Sequence, residues 1–467
     1  MQTYVYDAIV IGAGQSGGPL STELARAGYK TAIIEREHVG GTCINEGCTP
    51  TKTMVASARV AYLARRASEY GVNTGPISID MSVVRRRKRD IVASWSSGSQ
   101  QKIEQTQGVD LLFGQARFTG PKLLEVTMNS GEIRLLTAEI IVINTGARPS
   151  PPTFAGVGSI SSLNSTSIME LDQVPSHLLI FGGSYVGLEF GQMFRRFGSR
   201  VTIIQRGSRL ISREDDDVAD EVAGILREDG IEIWLDSRPV SAAPGGADTQ
   251  EAIQLTIESP DGRHTLSGSH LLVAAGRTPN SDQLEPRASG IEVDPAGYIM
   301  VNARLETNVP GIFALGDVKG GPAFTHISYD DYRIMRANLL NGQHEAITGR
   351  PVPYTVFIDP QLGRIGLTEH EARAQGLPIR VAKLPMSSVA RAVETDETRG
   401  FMKAIVHAET RQILGAAILG IDGGEIMSVV EVAMMGKLPY TALRDGIFAH
   451  PTVAESLNNL FMALDGQ

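Results

Sequence analysis

The chain has 467 residues, which is too long for one ordinary domain. Hydrophobic residues make up 42% and charged residues 20%, as in ordinary soluble proteins, and the net charge of −9 argues against nucleic acid as the main partner. No apolar run approaches the roughly 20 residues that span a bilayer. The first residues carry no export signal, so we expect a cytoplasmic protein without a membrane partner.

The first predicted elements form a dinucleotide-binding unit. Residues 6–11 are predicted as a buried strand, followed by a glycine turn, a helix and a second strand over residues 30–35. In such turns one glycine allows the tight turn, one lets the backbone approach a pyrophosphate and one lets the helix pack closely. These glycines are Gly12, Gly14 and Gly17. Glu35 ends the second strand, where a carboxylate accepts hydrogen bonds from ribose hydroxyls, so the pattern predicts an adenine dinucleotide site.

The only two cysteines lie in the segment GGTCINEGCTPTK, residues 40–52. Four residues separate Cys43 from Cys48, which is not the CxxC spacing, and no further Cys or His lies at a spacing suited to zinc. Pro50 fits the first turn of the following helix, so both thiols should lie near a helix N-terminus, where thiol pKa values fall. Lys52 would stabilise nearby negative charge. The alternative is a pair of inert core residues.

Two helices and a linker are predicted next. Residues 51–70 show helical spacing, and residues 80–107 resemble a long polar helix. This helix carries the basic run at 85–89, which we interpret as a solvated face rather than a phosphate-binding patch. Residues 146–176 are rich in Pro, Gly and Ser and are predicted as a linker.

A second strand–turn–helix–strand unit spans residues 178–205. Its turn positions are Gly182, Ser184 and Gly187, so that serine replaces the middle glycine. Gln205 stands where Glu35 stands in the first unit, with Arg206 next to it and Arg209 nearby. A missing acid beside arginine suits a 2′-phosphate, which favours NADPH over NADH. The alternative is that these arginines are ordinary surface charges.

The remaining sequence changes character twice. Residues 251–275 are predicted as β-rich, and after Pro353 strands are followed by helices, which indicates a separate α+β domain. Near the end, His450 precedes a proline and Glu455 follows five residues later. Glu455 would orient the imidazole and give a general acid–base pair. On spacing alone, a surface histidine is the alternative.

Together these motifs resemble the pyridine nucleotide–disulfide oxidoreductases, the flavoprotein family of glutathione reductase, dihydrolipoamide dehydrogenase and mercuric reductase. The motifs stand in family order along essentially the whole chain: GAGQSG, GGTCINEGCTPTK, INTGARP, GGSYVGLE, AAGRTPN, ALGD and AHPTVAE. The stretches GGPAFTHISYDDYRI and FAHPTVAESLNNLF are similar to the reactive-chlorine-resistance and mercuric reductase-like branch.

The resemblance implies an α/β fold with two Rossmann-like dinucleotide-binding domains, for FAD and NAD(P)H, and a C-terminal α+β dimerisation domain. It divides the chain into residues 1–150 and 276–345 for FAD, 151–275 for NAD(P)H and 346–467 for dimerisation.

The resemblance also implies roles for individual residues. Cys43–Cys48 would be the redox disulfide, with Cys48 facing the flavin and Cys43 exchanging with substrate. Tyr185 would cover the flavin until nicotinamide enters. His450 and Glu455 would come from the partner subunit of a homodimer with a shared active site. Support for catalysis is expected from Lys52 and Glu189, FAD contacts from Gly41, Thr42, Lys52, Thr145, Gly146, Gly316 and Asp317, and an NADPH contact from Gly276.

The function implied is electron transfer from NADPH, through FAD and the Cys43–Cys48 disulfide, to a disulfide substrate or metal ion, with no resident metal. Alternatives are a Cu(II) or Hg(II) reductase, a lipoamide dehydrogenase and a slow flavin-containing redox sensor. The chain lacks the second cysteine pair of well-characterised mercuric reductases, which argues against mercury as natural substrate. Gln205 and Arg206 argue against lipoamide dehydrogenase, since such enzymes usually work with NAD.

Overall fold

The computed structural model describes residues 2–245 and 252–465. The chain divides into two compact units. The first comprises Met1–Thr53, Ser82–Ser150 and Gly276–Arg350, and the second comprises Met54–Met81, Pro151–Ala275 and Pro351–Gln467. Unit boundaries fall after residues 150 and 275, and the division into three domains stays a prediction. Residues 54–81, by contrast, group with the second unit rather than with the rest of 1–150.

The strands are, in chain order, β1 (Thr3–Ile11), β2 (Thr31–Glu35), β3 (Val109–Gly120), β4 (Leu123–Met128), β5 (Ile133–Ile143), β6 (Ala147–Pro149), β7 (Ser162–Leu163), β8 (His177–Phe181), β9 (Arg200–Ile204), β10 (Glu232–Trp234), β11 (Arg238–Pro244), β12 (Ile253–Ser259), β13 (Gly262–Gly268), β14 (His270–Val273), β15 (Arg277–Pro279), β16 (Ile312–Ala314), β17 (Tyr354–Val356), β18 (Gln361–Gly366), β19 (Ile379–Pro385), β20 (Phe401–His407) and β21 (Ile413–Gly420).

The α-helices are α1 (Gly17–Arg26), α2 (Gly41–Asn45), α3 (Cys48–Arg66), α4 (Met81–Glu104), α5 (Tyr185–Phe197), α6 (Asp216–Glu228), α7 (Thr325–Asn341), α8 (Glu369–Ala374), α9 (Ala390–Glu394), α10 (Gly423–Met435), α11 (Tyr440–Arg444) and α12 (Ser456–Met462). Short 3-10 turns occupy Ala67–Tyr70, Val157–Ser159, Ser167–Glu170, Asp282–Leu284, Pro286–Ser289, Gly316–Lys319 and Met386–Ser388. Among the described residues, no helix is both long and apolar enough to cross a membrane.

The first unit is built on a parallel sheet with strand order β3-β2-β1-β5-β16. The strand β4 pairs antiparallel with the second half of β3 and the first half of β5. The final residues of β1 are buried apolar side chains, as expected for a strand covered on both faces. The first glycine turn follows β1, so it lies at the carboxyl end of this sheet, where α/β folds bind ligands.

The second unit contains two larger sheets. One is parallel with order β10-β9-β8-β14-β7, and the second glycine turn follows β8. The other is antiparallel with order β17-β18-β21-β20-β19 and lies within the α+β part predicted after Pro353. A three-stranded sheet, β11-β12-β13, accounts for most of the predicted β-rich segment, whose first residue, 251, lies outside the described residues.

The interpretation of the basic run as a solvated face is wrong for Lys88, which is buried. Seven residues, close to two helical turns, separate it from Met81, which is also buried, so both lie on the packed side of α4. Arg87, on the same helix, donates to the carbonyl of Thr53. Five consecutive residues cover more than one turn of a helix. Because one side of α4 is packed against the protein, at least one residue of the run lies on that side.

Candidate active site and nucleotide sites

The first glycine turn has the geometry that the sequence predicts. Gly12 has a φ of +103°, and a Cβ there would lie 2.3 Å from the carbonyl oxygen of Asn144. The turn is closed by Glu35, whose Oε2 accepts a hydrogen bond from the backbone N–H of Ala13 at 2.9 Å. A side chain at Gly12 would therefore displace the neighbouring strand end.

Asn144 is a site residue that the sequence motifs did not single out. Its buried Oδ1 accepts from the N–H of Gly17 at 3.0 Å, and its Nδ2 donates to the carbonyl of Leu315 at 3.0 Å. The amide thus joins the start of α1 to the end of β16. It lies in the INTGARP motif, directly after the buried strand β5, but only its neighbours Thr145 and Gly146 were predicted to contact the cofactor.

The cysteine segment is attached to this glycine turn. The N–H of Gly40 donates to the carbonyl of Ala13 at 2.9 Å, and Gln15 Nε2 donates to the carbonyl of Gly40 at 3.0 Å. Gly41 has a φ of +63°, and a Cβ there would lie 2.7 Å from the Cα of Gly14. The redox motif and the dinucleotide turn therefore approach each other backbone to backbone.

Cys43 lies within α2 and Cys48 begins α3, so the predicted placement near helix starts is found. Both cysteines are present as thiols, Cys43 half-buried and Cys48 exposed, and their side chains are hydrogen-bonded to each other. Cys48 Sγ lies 3.5 Å from Thr325 Oγ1 at the start of α7. Thr325 lies 277 residues further along the chain, in the stretch GGPAFTHISYDDYRI, and no role was predicted for it from the sequence.

The expected fall in thiol pKa is wrong for Cys43 in this dithiol form. Its hydrogen bond to Cys48, followed by burial and by the charge on Cys48, raises the pKa of Cys43. The hydroxyl of Thr325 and the charge of Lys52 act in the opposite direction. Two thiols that share a proton titrate as a pair, and helix position alone does not describe that coupling.

The second glycine turn follows the same plan in the second unit. A Cβ at Gly187 would lie 1.9 Å from the carbonyl oxygen of Gly182, so only glycine fits at the start of this helix. Ser184 is the residue before α5, in extended conformation. Gln205 Oε1 accepts from the N–H of Gly183 at 3.0 Å, and its Nε2 donates to the carbonyl of Arg209 at 3.2 Å.

The two arginines of the predicted NADPH site differ in their surroundings. Arg206 is exposed, and its guanidinium carbon lies 6.0 Å from the centre of the Phe181 ring. Arg209 contacts Asp216 and Asp220 of α6, each at 3.1 Å. Arg206 is therefore the more accessible of the two for a phosphate.

Other predicted residues lie at the same two turns. Tyr185 is the first residue of α5. Glu189, one helical turn later, is buried and accepts a hydrogen bond from the N–H of Phe357 at 2.9 Å. Its support for catalysis stays a prediction. Gly276 lies in the first unit, where its carbonyl accepts from the N–H of Ser150 at 3.1 Å.

His450 and Glu455 form a close pair in the second unit. The distance between His450 Nδ1 and Glu455 Oε2 is 2.8 Å, and the imidazole is largely exposed. A carboxylate at Nδ1 orients the ring and leaves Nε2 to act on a substrate. Within residues 2–245 and 252–465, no group of three or more His, Cys, Asp or Glu side chains is placed to hold a metal ion.

Comparison with protein families identifies both parts of the chain. Residues 6–331 match the pyridine nucleotide-disulphide oxidoreductase model, and residues 352–461 match the dimerisation domain of the same family. The chain belongs to the pyridine nucleotide-disulphide oxidoreductase family. It is a flavoprotein oxidoreductase that uses FAD and a nicotinamide nucleotide, and the expected fold class is confirmed.

Relatives within the family fall into three groups. The chain is 38% identical to the probable pyridine nucleotide-disulfide oxidoreductase RclA of Escherichia coli, over 98% of each chain. It is 30% identical to a mercuric reductase of Bacillus cereus, over 99% of this chain and 72% of that one. It is 32% identical to a dihydrolipoyl dehydrogenase of Bacillus subtilis, over 98% of each.

Among solved structures, the Cu(II) complex of the HOCl-induced flavoprotein disulfide reductase RclA from Escherichia coli is similar to this chain. The TM-score is 0.89 at 37% identity, over 99% of this chain and 100% of that one.

The residues of the first unit fit FAD. The hydroxyl of Thr145 is buried without a hydrogen-bond partner among the described residues, as expected for a group that binds a ligand. Gly146, next to it, has a φ of +68°. Asp317 follows β16 in a short turn, and burial raises the pKa of its carboxyl, with Arg277 Nε at 3.9 Å opposing that shift. The N–H of Gly316 donates to the fully buried Asp331 at 2.8 Å, which fixes this turn.

Proposed function

We propose that this chain takes electrons from NADPH, through FAD, to the Cys43–Cys48 pair and from there to a disulfide substrate or metal ion. The observation that carries the proposal is the hydrogen-bonded thiol pair attached to the first glycine turn. These are the only cysteines in the chain, so no other dithiol competes for the role. The family membership supports the same chemistry.

Bound FAD would supply the redox chemistry that links hydride donation by the nicotinamide to two-electron reduction of the Cys43–Cys48 disulfide. In the proposed second half, the Cys43 thiolate attacks one sulfur of the substrate disulfide and forms a mixed disulfide. Nε2 of His450 of the partner subunit takes the proton of the Cys43 thiol before the attack and returns it to the departing thiolate. Cys48 then attacks the Cys43 sulfur, which restores the Cys43–Cys48 disulfide and releases the second product thiol.

Several residues are proposed to assist these steps. Glu455 holds Nδ1 of His450, so that the ring exchanges protons through its other nitrogen. Lys52 lies one helical turn after Cys48, and its charge opposes the raised pKa of Cys43. Gly41 and Thr42 stand at the start of α2, beside the first glycine turn, and we assign them to the FAD site.

We propose NADPH as the preferred donor because Gln205 leaves its turn without the negative charge that Glu35 supplies in the first unit. Arg206 is the proposed phosphate contact. The proposed FAD domain comprises residues 1–150 and 276–345, the NADPH domain 151–275 and the dimer-forming domain 346–467. NADPH is supplied inside the cell, which supports a cytoplasmic location.

Metal-ion reduction is the second candidate function. RclA of Escherichia coli has been solved as a Cu(II) complex, and mercuric reductases are among the relatives. The same two thiolates would donate the electrons. Because the chain offers no further thiol, soft ligands for a metal are limited to this pair.

A substrate panel on the purified holoenzyme tests the proposal. Small disulfides, lipoamide, Cu(II), Hg(II) and quinones are each supplied with NADPH and with NADH. The variant Cys43→Ser is expected to lose disulfide reduction while its flavin absorbance still bleaches with NADPH, because Cys43 is placed after the flavin. Retained disulfide reduction in Cys43→Ser contradicts the assigned order of electron transfer. His370→Ala changes a residue outside the proposed site and serves as the control variant.

A further inference from the structure

The segment from Gln205 to Asp215 lies directly on the second glycine turn. The N–H of Ile211 donates to the carbonyl of Gly183 at 2.8 Å. Leu210 is buried, and a Cβ added to Gly183 would lie 2.6 Å from its Cδ2. The beginning of this segment is therefore packed against the nucleotide-binding backbone. We name residues 205–215 the selector loop, since Arg206 and Arg209 lie within it.

The selector loop contains one strained residue. Ile211 has a φ of +39°, a left-handed conformation that β-branched residues rarely adopt. Such a conformation persists only where the surrounding structure holds it in place. The bond from Ile211 to Gly183 holds it on one side. On the other side, its carbonyl accepts from the N–H of Glu214 at 2.9 Å, so the contacts that fix Glu214 form a second attachment.

That second attachment is a buried polar cluster at the end of the loop. The hydroxyl of Tyr354, on β17, donates to Oε1 of Glu214. Arg364 lies opposite Tyr354 in the register of β17 and β18, and its Nε is 3.8 Å from Oε2 of Glu214. Only 8% of Glu214 and 1% of Arg364 are exposed. Burial raises the pKa of Glu214, and the charge of Arg364 opposes that shift.

The next residue continues the attachment. Asp215 accepts from the backbone N–H groups of Glu369 and His370 at 3.0 and 3.1 Å, and its Oδ2 lies 3.2 Å from Nζ of the buried Lys403. Buried ion pairs contribute little net stability compared with apolar packing, but they fix direction and register. A function in positioning accounts for a charged cluster at the end of a loop that carries two candidate phosphate ligands.

We propose that the Glu214–Tyr354–Arg364 cluster is a positioning device for nucleotide selection, which holds the selector loop so that Arg206 meets the 2′-phosphate of NADPH. The inference rests on the NADPH preference in the proposed function. None of the three residues is assigned a contact with the nucleotide. They act through the conformation of residues 206–213, and Ile211 is the point at which that conformation is most easily lost.

Steady-state kinetics of the holoenzyme with a dye acceptor, which bypasses the unknown disulfide substrate, test this role. Tyr354→Phe removes one hydroxyl and is expected to raise the KM for NADPH about fivefold, the effect of one lost hydrogen bond, with kcat and the KM for NADH within about twofold. Glu214→Gln should act in the same direction. Glu397→Gln changes another buried carboxyl of the same unit that is paired with an arginine, Arg59, so it is the control and should leave both KM values unchanged.

Unchanged KM values in Tyr354→Phe and Glu214→Gln, or equal changes for both nucleotides, overturn the inference. Arg206→Ala distinguishes a failure of this inference from a failure of the proposed function. If Arg206→Ala changes the KM for NADPH and the KM for NADH equally, the proposed preference for NADPH is wrong, whatever the cluster does. In Arg206→Ala, adding Tyr354→Phe should produce no further rise in the KM for NADPH, because the cluster acts through Arg206. A further rise in the KM for NADPH would show that the cluster does not act through Arg206.

Limited trypsin digestion reports on the loop independently of any nucleotide preference. Cleavage after Arg209 or Arg213, followed by mass spectrometry, should accelerate in Tyr354→Phe and not in Glu397→Gln. Equal cleavage rates in wild type and Tyr354→Phe would show that the cluster does not hold the loop.

Discussion

At the residue scale, Glu35 and Gln205 make the same contact in the two halves of the chain. Glu35 accepts from the N–H of Ala13, and Gln205 accepts from the N–H of Gly183, in each case the residue after the first glycine of the turn. An uncharged amide therefore performs the structural role of the carboxylate. We infer that the difference in charge between the two side chains affects which nucleotide each turn binds.

The exchange Gln205→Glu tests this separation of roles. The carboxylate keeps the acceptor for the N–H of Gly183 but places negative charge near the 2′-phosphate, so the KM for NADPH should rise about tenfold while that for NADH changes little. Gln205→Leu removes the acceptor for the N–H of Gly183 and should weaken the binding of NADPH and NADH to the same extent. Steady-state kinetics with NADPH and with NADH provide the measurement. An unchanged preference for NADPH in Gln205→Glu would contradict the separation of the two roles.

At the element scale, residues 54–66 of α3 present an ionic face to the second unit, to which they belong. Arg59, Tyr62 and Arg66 recur at positions i, i+3 and i+7, which share one side of a helix. Arg59 contacts Asp359 and Glu397, each at 2.5 Å, and the guanidinium carbon of Arg196 lies 4.0 Å from the centre of the Tyr62 ring. The packing of this helix therefore depends on charge as well as on apolar contact.

Asp359 makes this packing sensitive to acid. Burial raises its pKa, but the charges of Arg196 and Arg59 more than offset burial, so the pKa is lowered from 3.8. Its stabilising contribution is present above that ordinary value and is lost as pH falls through the lowered pKa. Asp359→Asn should cost about 3 kcal/mol at neutral pH, because it leaves buried guanidinium charge unpaired, and less below pH ~3.

Urea unfolding of Asp359→Asn across this pH range provides the measurement. Glu69→Gln is the control, since Glu69 pairs with Arg66 on the solvent side and is half-exposed. That change should shift the free energy of unfolding by less than about 0.5 kcal/mol. A loss in Asp359→Asn that stays constant down to pH ~2 contradicts the assigned electrostatic cause.

The sequence predicted those elements whose pattern of residues lies within a short stretch of the chain. The strand, turn and helix around Gly12 follow from hydrophobic spacing and the glycine pattern within about 30 residues, and the family motifs then identify the cofactors. Asn144 and Thr325 were missed because their roles depend on residues more than 100 positions away. The grouping of residues 54–81 with the second unit has the same origin, since Asp359 lies 300 residues beyond Arg59.

At the scale of the whole molecule, the second unit exposes apolar side chains that dimer formation would cover. Val432 and Met435 on α10 are 67% and 68% exposed, and Ile447, three residues before His450, is fully exposed. Val432 and Met435 are three residues apart and so lie on one side of α10, and exposed apolar patches mark protein–protein contacts. The matched dimerisation domain includes all of them, which supports dimer formation by this part of the chain.

Mixed dimers test whether Cys43 and His450 act across subunits. Cys43→Ser and His450→Ala subunits are each inactive in disulfide reduction if both residues are required. In a heterodimer with a shared site, one site carries both changes and the other carries neither. Random reassortment makes half of the dimers mixed, so disulfide reduction should return to about a quarter of the wild-type rate. No recovery means that both residues act within one subunit, and Val432→Glu in both partners should abolish recovery by preventing assembly.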